Sequence, residues 1–432
     1  MNGPTLGIIG DGFSAAALLI HMARQDVLKE FQVTVFGQSL NSLGRGAAYA
    51  DAVDYLLNVP AGGMSLFEDD PLDFVRWLSM SRKTPQPEGE FVPRRKYGEY
   101  VSQRRQEAMC KVASRTLRFS HGKAEYLGYR DGKHLVSSGG KIVRLDEVVI
   151  ATGHSFQTQQ RYGAPADWRR PQVVVGSGLT AAEEALRLIK QGSLVQMISR
   201  HGDLPLAHRV DYNPKKPQFA VKFENFSPRA LMRLLRGWVS SHERDGGDWR
   251  DVIAAIRPHT PFIWRSMSVL QRAQFLRHCQ HFWDLHRHRV APHVLEELNY
   301  HRKYGKLEVI AARVVDVVQD VDQYAVTFKP RGSEETVTLR VSGVQVCTGP
   351  DRQYRNTVAE QCAIDGFGLG VTVDADYRLN LPVEFGERTP YYLGPGLRAR
   401  DWEAIAVPEL RVHAERLARK LGSIVKAYPD ND

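Results

Sequence analysis

LGIIGDGFSAAALL (residues 6–19) and VVVGSGLTAAEEAL (residues 173–186) follow one pattern twice, and the fold turns on how that pattern is understood. Each opens on a short apolar run, passes through a glycine turn and continues with helical spacing. Each is then followed by a β-rich run, QVTVF at 32–36 and SLVQMIS at 193–199. Strand, glycine turn, helix and strand make a βαβ unit. In GDGFSA, Gly10 falls at the tight turn, Gly12 where backbone must approach a pyrophosphate, and Ala15 where the helix packs closely on the sheet. Phe13 and Ser14 begin a helix whose unpaired N–H groups aim at the phosphates. In GSGLTA the equivalent positions are Gly176, Gly178 and Ala181, with Ser177, Leu179 and Thr180 lining the same turn. One GxGxxA can be an ordinary strand-to-helix turn. Two copies with correct flanks indicate two nucleotide sites in one chain.

The likeness continues downstream. Residues 116–153 and 306–349 both read as a strand, a β-hairpin with a polar turn, and an apolar strand ending in Thr-Gly. Val148 to Gly153 and Val344 to Gly349 are therefore counterpart strand ends, and Ala124, Thr152 and Gly153 are expected to contact the first cofactor. The expected fold is α/β, with two Rossmann-like dinucleotide-binding domains and a helical insert. The expected division places residues 1–165 and 335–432 in the first domain, 166–225 and 300–334 in the second, and 226–299 in an insert that covers the substrate. Within the insert, Ser227 is the expected N-cap and Pro228 the first residue of one helix, and VLQRAQFLRHCQHFWDLH has helical periodicity.

A chain of 432 residues exceeds the common single-domain size of ~100–200 residues, and its 43% apolar and 25% charged content are those of a globular protein. The formal charge of +9 attracts anions without choosing among nucleic acid, membrane, cofactor or acidic metabolite. The positive charges are dispersed and no aromatic–basic stripe accompanies them, which disfavours nucleic acid. Four cysteines lie far apart with no CxxC, against a zinc ribbon or a dithiol pair. With no basic n-region and no apolar run of ~20 residues, a soluble cytoplasmic protein is expected, without membrane association.

The residue closing the second strand of such a unit normally offers a carboxylate to the ribose hydroxyls. In the first unit that position is Gly37 or Gln38, so the acid is missing and Gln38 is left to pair a hydroxyl. In the second unit it is Ser199 and Arg200, and a guanidinium there suits the 2′-phosphate of NADPH over NADH. His286, Arg287, His288 and Arg289, with His293 nearby, form the densest basic cluster. Alternating cations repel a divalent ion, so no metal is expected. A solvated helix end competes with anion capture, in which Arg287 and Arg289 meet an acidic group of the substrate.

GRGAAYADAVDYLLNVPAGGMSLFEDDPLDFVRWL (44–78), FVPRRKYGEYV (91–101), SRHGDLPLAH (199–208), FWDLHRHRVAP (282–292), CTGP (347–350) and LGPGLRARDWEAIAVPELR (393–411) are spread over nearly the whole chain. Together they resemble a bacterial family of two-dinucleotide flavoproteins related to the class B flavin monooxygenases, and within it the flavin-dependent N-hydroxylases that oxidise the amine of aspartate. The resemblance implies FAD in the first unit and NADPH in the second. It puts Asn58, Val59, Met64 and Ser65 beside the isoalloxazine, with Asn58, Met64 and Ser65 in catalytic roles. It also brings Arg94 and Tyr97 close, and Gly394, Trp402 and Glu403 to the far edge of the ring. The implied reaction is NADPH-dependent N-hydroxylation of an amino acid or small amine with O2 through a C4a-hydroperoxyflavin. His208 is a weakly supported candidate base. An FAD/NAD(P)H oxidoreductase, an S- or C-monooxygenase and a non-enzymatic nucleotide-binding protein stand as alternatives, and homodimer formation is left open.

Overall fold

The computed structural model describes residues 3–50, 55–80, 87–110, 117–154, 161–162, 171–210, 215–217, 226–321, 323–349 and 356–426. The first unit begins with β1 (Thr5–Ile9), α1 (Phe13–Arg24) and β2 (Gln32–Gly37), as the periodicity predicts. Helices α2 (Asp73–Ser79) and α3 (Arg94–Met109) follow, then β3 (Leu117–His121), the antiparallel β4 (Ala124–Arg130), β5 (Lys133–Ser138) and β6 (Lys141–Leu145), and β7 (Glu147–Ile150). Strands β1, β2, β3 and β7 lie parallel in one sheet, with β1 between β2 and β7. The apolar runs of the central β1 and β7 are buried almost without a break because helices cover the sheet.

The second unit repeats this plan. After the short β8 (Arg161–Tyr162) come β9 (Gln172–Val175), α4 (Leu179–Lys190) and β10 (Val195–Ser199). The insert supplies α5 (Pro228–Arg244), α6 (Trp249–Ile256), α7 (Thr260–Ser266), α8 (Val269–His278) and α9 (Gln280–Arg287), and α10 (Pro292–Lys303) leads back to β11 (Leu307–Asp320). The first half of β11 pairs parallel with β10, and its second half pairs antiparallel with β12 (Gln323–Pro330). One long strand thus does the work of both β3 and β4. β12 pairs with β13 (Val337–Val341), and β14 (Gly343–Val346) returns beside β9 in parallel, as β7 does beside β1.

The expected boundary at 334/335 therefore cuts this sheet, since β13 and β14 belong to it; the chain leaves the second unit after Val346. The boundary at 299/300 also moves, because it falls inside α10, whose Leu298 packs with Ala181, Ala185 and Leu307 on the second sheet. Residues 165, 166 and 225, where the other boundaries were expected, lie outside the described residues, as does Pro350 of CTGP.

The remaining chain returns to the first unit through α11 (Val358–Cys362), β15 (Tyr391–Tyr392), which extends the first sheet beside β7, α12 (Arg398–Asp401) and α13 (Val407–Val425), which packs on α1. In the insert, the Ser227 hydroxyl accepts from the Ala230 N–H at 3.3 Å with Pro228 at the first turn, as expected. The stretch 269–286 differs from a single helix. It breaks at Cys279, where one helix ends and the next begins, and Phe275 and Trp283 both reach the insert's core. Among the described residues no helix is long and apolar enough to cross a membrane.

Candidate functional site

The two glycine elbows are built alike to the atom. Gly10 has φ +117°, and a Cβ there would stand 2.3 Å from the Ala151 carbonyl oxygen at the end of β7. Gly176 has φ +124°, and its Cβ would stand 2.4 Å from the Cys347 oxygen at the end of β14. Both turns must pass over the neighbouring strand's last carbonyl, and only glycine fits that approach. At Gly12 and Gly178, which precede the first residues of α1 and α4, a Cβ would meet nothing within 4 Å. Each helix N-terminus thus faces open space, which suits a pyrophosphate. Ala15 and Ala181 are fully buried against their sheets, and Phe13 and Ser14 are buried in the first turn of α1. Ser177 and Leu179 are half-buried and Thr180 exposed at the second elbow.

The strand ends around the first elbow carry the other expected contacts. Gly394 follows β15, and the neighbouring Leu393 N–H donates to the Ile150 carbonyl, so Gly394, Thr152 and Gly153 stand at one rim. The Thr152 hydroxyl donates to Glu360 at 2.7 Å. Ala124 is buried at the start of β4. Gln38 is exposed, and its N–H donates to the Asp11 carboxylate at 2.7 Å. At the end of β10, the Ser199 hydroxyl accepts from the Gly202 N–H and Arg200 is exposed. Burial lowers the His201 imidazole, and the charges of His281, Arg331 and Arg200 lower it further, which marks a cationic corner at that strand end.

The segment expected beside the flavin also contacts the second unit. Asn58 donates to the Glu183 carboxylate at 3.0 Å, Arg94 pairs with the same carboxylate, and the Tyr55 hydroxyl donates to Glu184 at 3.0 Å. Both acids lie on α4, so the loop around Asn58 clasps the two nucleotide units together. Burial pushes the Glu183 carboxyl up, opposed by Arg94 and Asn58. Sequence reasoning missed these acids. The available signal was their place: two carboxylates in a helix whose start faces an anion need partners elsewhere.

Ser65 is held within its own loop. Its hydroxyl donates to the Asp70 carbonyl at 2.6 Å and accepts from the Phe67 N–H at 3.0 Å, tying its own loop, and the residue is fully buried. Met64 is likewise buried, and Val59 packs on the first core. Tyr97 is also inside, among Phe13, Tyr49, Phe74 and Tyr100, with no hydrogen-bond partner for its hydroxyl.

Trp402 and Glu403 lie against the insert. Trp402 packs at 4.9 Å from Trp264 and 5.0 Å from Phe275, in the insert's core. Glu403 is buried, accepting from Trp283 at 2.9 Å and from Arg287 at 3.1 Å. These contacts fasten the insert to the C-terminal segment. Arg287 therefore does not await a substrate: it is buried and its charge is met by Glu403 and, at 3.5 Å, by Glu409. A buried cation needs those carboxylates more than a solvated ligand can offer.

Arg289 is the opposite case. Its Nε and Nη1 are inaccessible and have no hydrogen-bond partner, and burial together with Arg287 and Arg250 lowers its guanidinium to about 10, still cationic near neutrality. The segment before it turns back through the Ala207–Val290 bridge, which sets Arg289 near His208. His208 Nε2 lies 3.0 Å from the Asn58 carbonyl, and because a carbonyl only accepts, Nε2 carries the proton and Nδ1 is left as an acceptor. A cleft of about 400 Å³ opens beside His208 and Arg250.

Burial, reinforced by Arg289, lowers His208 from 6.5 to about 3. That makes it a poor base for an ammonium and a neutral hydrogen-bond acceptor instead. The folded protein disfavours the charged ring, so the unfolded chain takes up the proton first as pH falls below 6.5. Stability should drop by roughly 1.4 kcal/mol per pH unit from this residue until pH approaches 3. His208→Gln is expected to make the acid limb shallower by about that slope in urea denaturation between pH 6 and 4. An unchanged limb would contradict the assignment.

Residues 7–155 match a family model described as FAD-NAD(P)-binding. No curated protein matches the chain. Among solved structures, it resembles L-lysine 6-monooxygenase from Pseudomonas syringae at 15% identity, with 97% of this chain and 99% of that one covered and a TM-score of 0.63. It also resembles the ornithine N-hydroxylase of Kutzneria sp. 744, solved with reduced FAD, NADP+ and L-ornithine, at 16% identity, 98% and 100% coverage and a TM-score of 0.61. Bacillithiol disulfide reductase from Staphylococcus aureus follows the same path at 14% identity, 98% and 99% coverage and a TM-score of 0.55. The chain has the fold of two-dinucleotide flavoproteins.

Proposed function

We propose that this protein is an NADPH- and FAD-dependent N-monooxygenase of the cytoplasm, acting on an amino acid or small amine that carries an acidic group. The observation that carries the proposal is the Arg289 guanidinium, over the Trp249 ring at 5.7 Å with no hydrogen-bond partner for Nε and Nη1 among the described residues, held beside His208 in a chain whose two open elbows are clasped together through Asn58, Arg94 and Glu183. The lysine and ornithine hydroxylases share the whole path of the chain, which supports the choice of reaction.

In this proposal the N–H groups at the start of α1 hold the FAD pyrophosphate and those of α4 hold that of NADPH, with Arg200 on the 2′-phosphate. When bound, the cofactors supply hydride transfer and oxygen activation. The chain's own residues bind and orient. Arg289 takes the substrate's carboxylate, an ion that relieves the local excess of positive charge from Arg250 and Arg287. His208 Nδ1 accepts from the substrate's N–H, and the cations around it, Arg289, Arg287 and Arg250, favour the unprotonated amine over the ammonium.

The test is to load the purified protein with FAD and follow NADPH oxidation with acidic amino acids, basic amino acids and diamines. Acidic amines should stimulate it, with hydroxylamine or further oxidised nitrogen as product. Arg289→Ala should raise the apparent KM for the acidic substrate by about 10–100-fold, as loss of a charged hydrogen bond predicts, with flavin content unchanged. Oxygen returned wholly as hydrogen peroxide with every amine would instead favour an oxidoreductase, and an unchanged KM would remove Arg289 from the site.

A further inference from the structure

The first nucleotide unit lacks an acid at the end of β2, yet a carboxylate stands there. Asp11, between the two elbow glycines, leans across the end of β2 so that its Oδ2 accepts the N–H groups of Gln38 at 2.7 Å and Ser39 at 3.2 Å. A Cβ built on Gly37 would lie 2.5 Å from the Asp11 Cβ and 2.7 Å from its Cγ and Oδ2. The Asp11 side chain therefore fills the volume that a side chain at position 37 would take. Gly37 is glycine for lack of space, not for its backbone angle, since only the positive-φ glycines need the left-handed region and Gly37 is not one of them.

We infer that Asp11 is the ribose-binding acid of the first unit, supplied from the elbow in place of the end of β2. The ordinary arrangement needs a carboxylate at the strand end to accept from the ribose hydroxyls of the adenosine half. Asp11 brings one to the same place: two backbone N–H groups hold Oδ2, and among the described residues no hydrogen bond engages Oδ1. The elbow and the strand end are linked by the Gly10 N–H to Phe36 carbonyl bond at 2.8 Å, so carboxylate and pyrophosphate site keep a constant spacing. The second unit, with Ser177 at the corresponding elbow position and Arg200 at its strand end, has no such acid, which agrees with a 2′-phosphate there and unmodified hydroxyls in the first. Asp11 sets which nucleotide each elbow accepts.

The inference rests on FAD occupying the first unit, and one titration separates the two. Flavin-free wild-type protein is titrated with FAD and with FAD whose adenosine ribose lacks the 2′-hydroxyl, following flavin fluorescence. Wild type should bind FAD at least tenfold more tightly than the deoxy compound. Asp11→Ala should bind FAD at least tenfold more weakly than wild type and treat both compounds alike, a loss of discrimination that a merely structural role would not produce. Asp11→Asn keeps the side chain's shape if the alanine variant folds poorly, and should discriminate less than wild type. Gly37→Glu alone should lose FAD through collision with Asp11, whereas Asp11→Gly combined with Gly37→Glu, which also removes the Asp11 Cβ at 2.5 Å, should recover both affinity and discrimination. If wild type takes up no FAD, the placement of FAD fails and the inference falls with it. If wild type binds FAD but Asp11→Ala and Asp11→Asn discriminate as well as wild type, the inference alone is overturned.

Discussion

Gly10→Ala is expected to abolish FAD retention and to destabilise the first unit by roughly 2–6 kcal/mol, the sum of a close overlap and a disfavoured backbone angle. The added methyl would meet the Ala151 carbonyl at 2.3 Å, and Ala151 is itself held by its N–H, which donates to the Ile9 carbonyl at 2.7 Å. Neither side can retreat without breaking the parallel pairing of β1 with β7. The turn must move instead, and with it the N–H groups of α1. Visible absorbance of the purified variant and its urea denaturation check both parts. Gly176→Ala makes the comparison sharper. Its overlap with the Cys347 oxygen is nearly the same, but it should spare the yellow colour and remove NADPH-dependent reduction. Equal flavin loss in both variants would mean the two elbows do not hold different cofactors.

Arg287→Met should cost about 3–5 kcal/mol, because it leaves Glu403 buried without its cation. The loss should appear first in the insert, where Trp264, Trp283 and Trp402 lie together, so tryptophan fluorescence should report a transition at lower urea than the flavin signal. Glu403→Gln should cost less, since an amide can still accept from Trp283. Arg287→Met and Arg289→Ala sit two residues apart and should behave oppositely: the former loses stability, the latter substrate affinity. A stable Arg287→Met protein would show that the insert is fastened elsewhere.

The double βαβ plan was legible because it depends on local rules. Apolar runs bounded by glycine, helical periodicity after them, and β-rich strands returning behind them are properties of neighbouring residues, and each of the six elements around the elbows appears where they indicate. The hairpins downstream were legible as a repeated layout. Their membership was not: β13 and β14 were assigned to the wrong unit because partner choice in a sheet joins residues such as Val344 and Val173, far apart in the chain. The long β11 hid the correspondence further by merging two strands.

The site shows the same division. Residue type and spacing were enough to place glycines at the turns, an arginine after β10 and a basic cluster at 286–289. They could not tell Arg287 from Arg289, since both are arginines at the end of one short helix. The distinction lies in which carboxylates the fold brings near: Glu403 and Glu409, over a hundred residues away, reach one guanidinium and not the other. The same holds for Asn58 and Arg94, drawn to Glu183, and for Asp11, whose place beside Gly37 depends on β1 and β2 being adjacent. Short-range covalent and steric rules work within a few residues and are written in the order of the chain. Charge pairing and side-chain volume act through space, so their outcome exists only once the chain has folded.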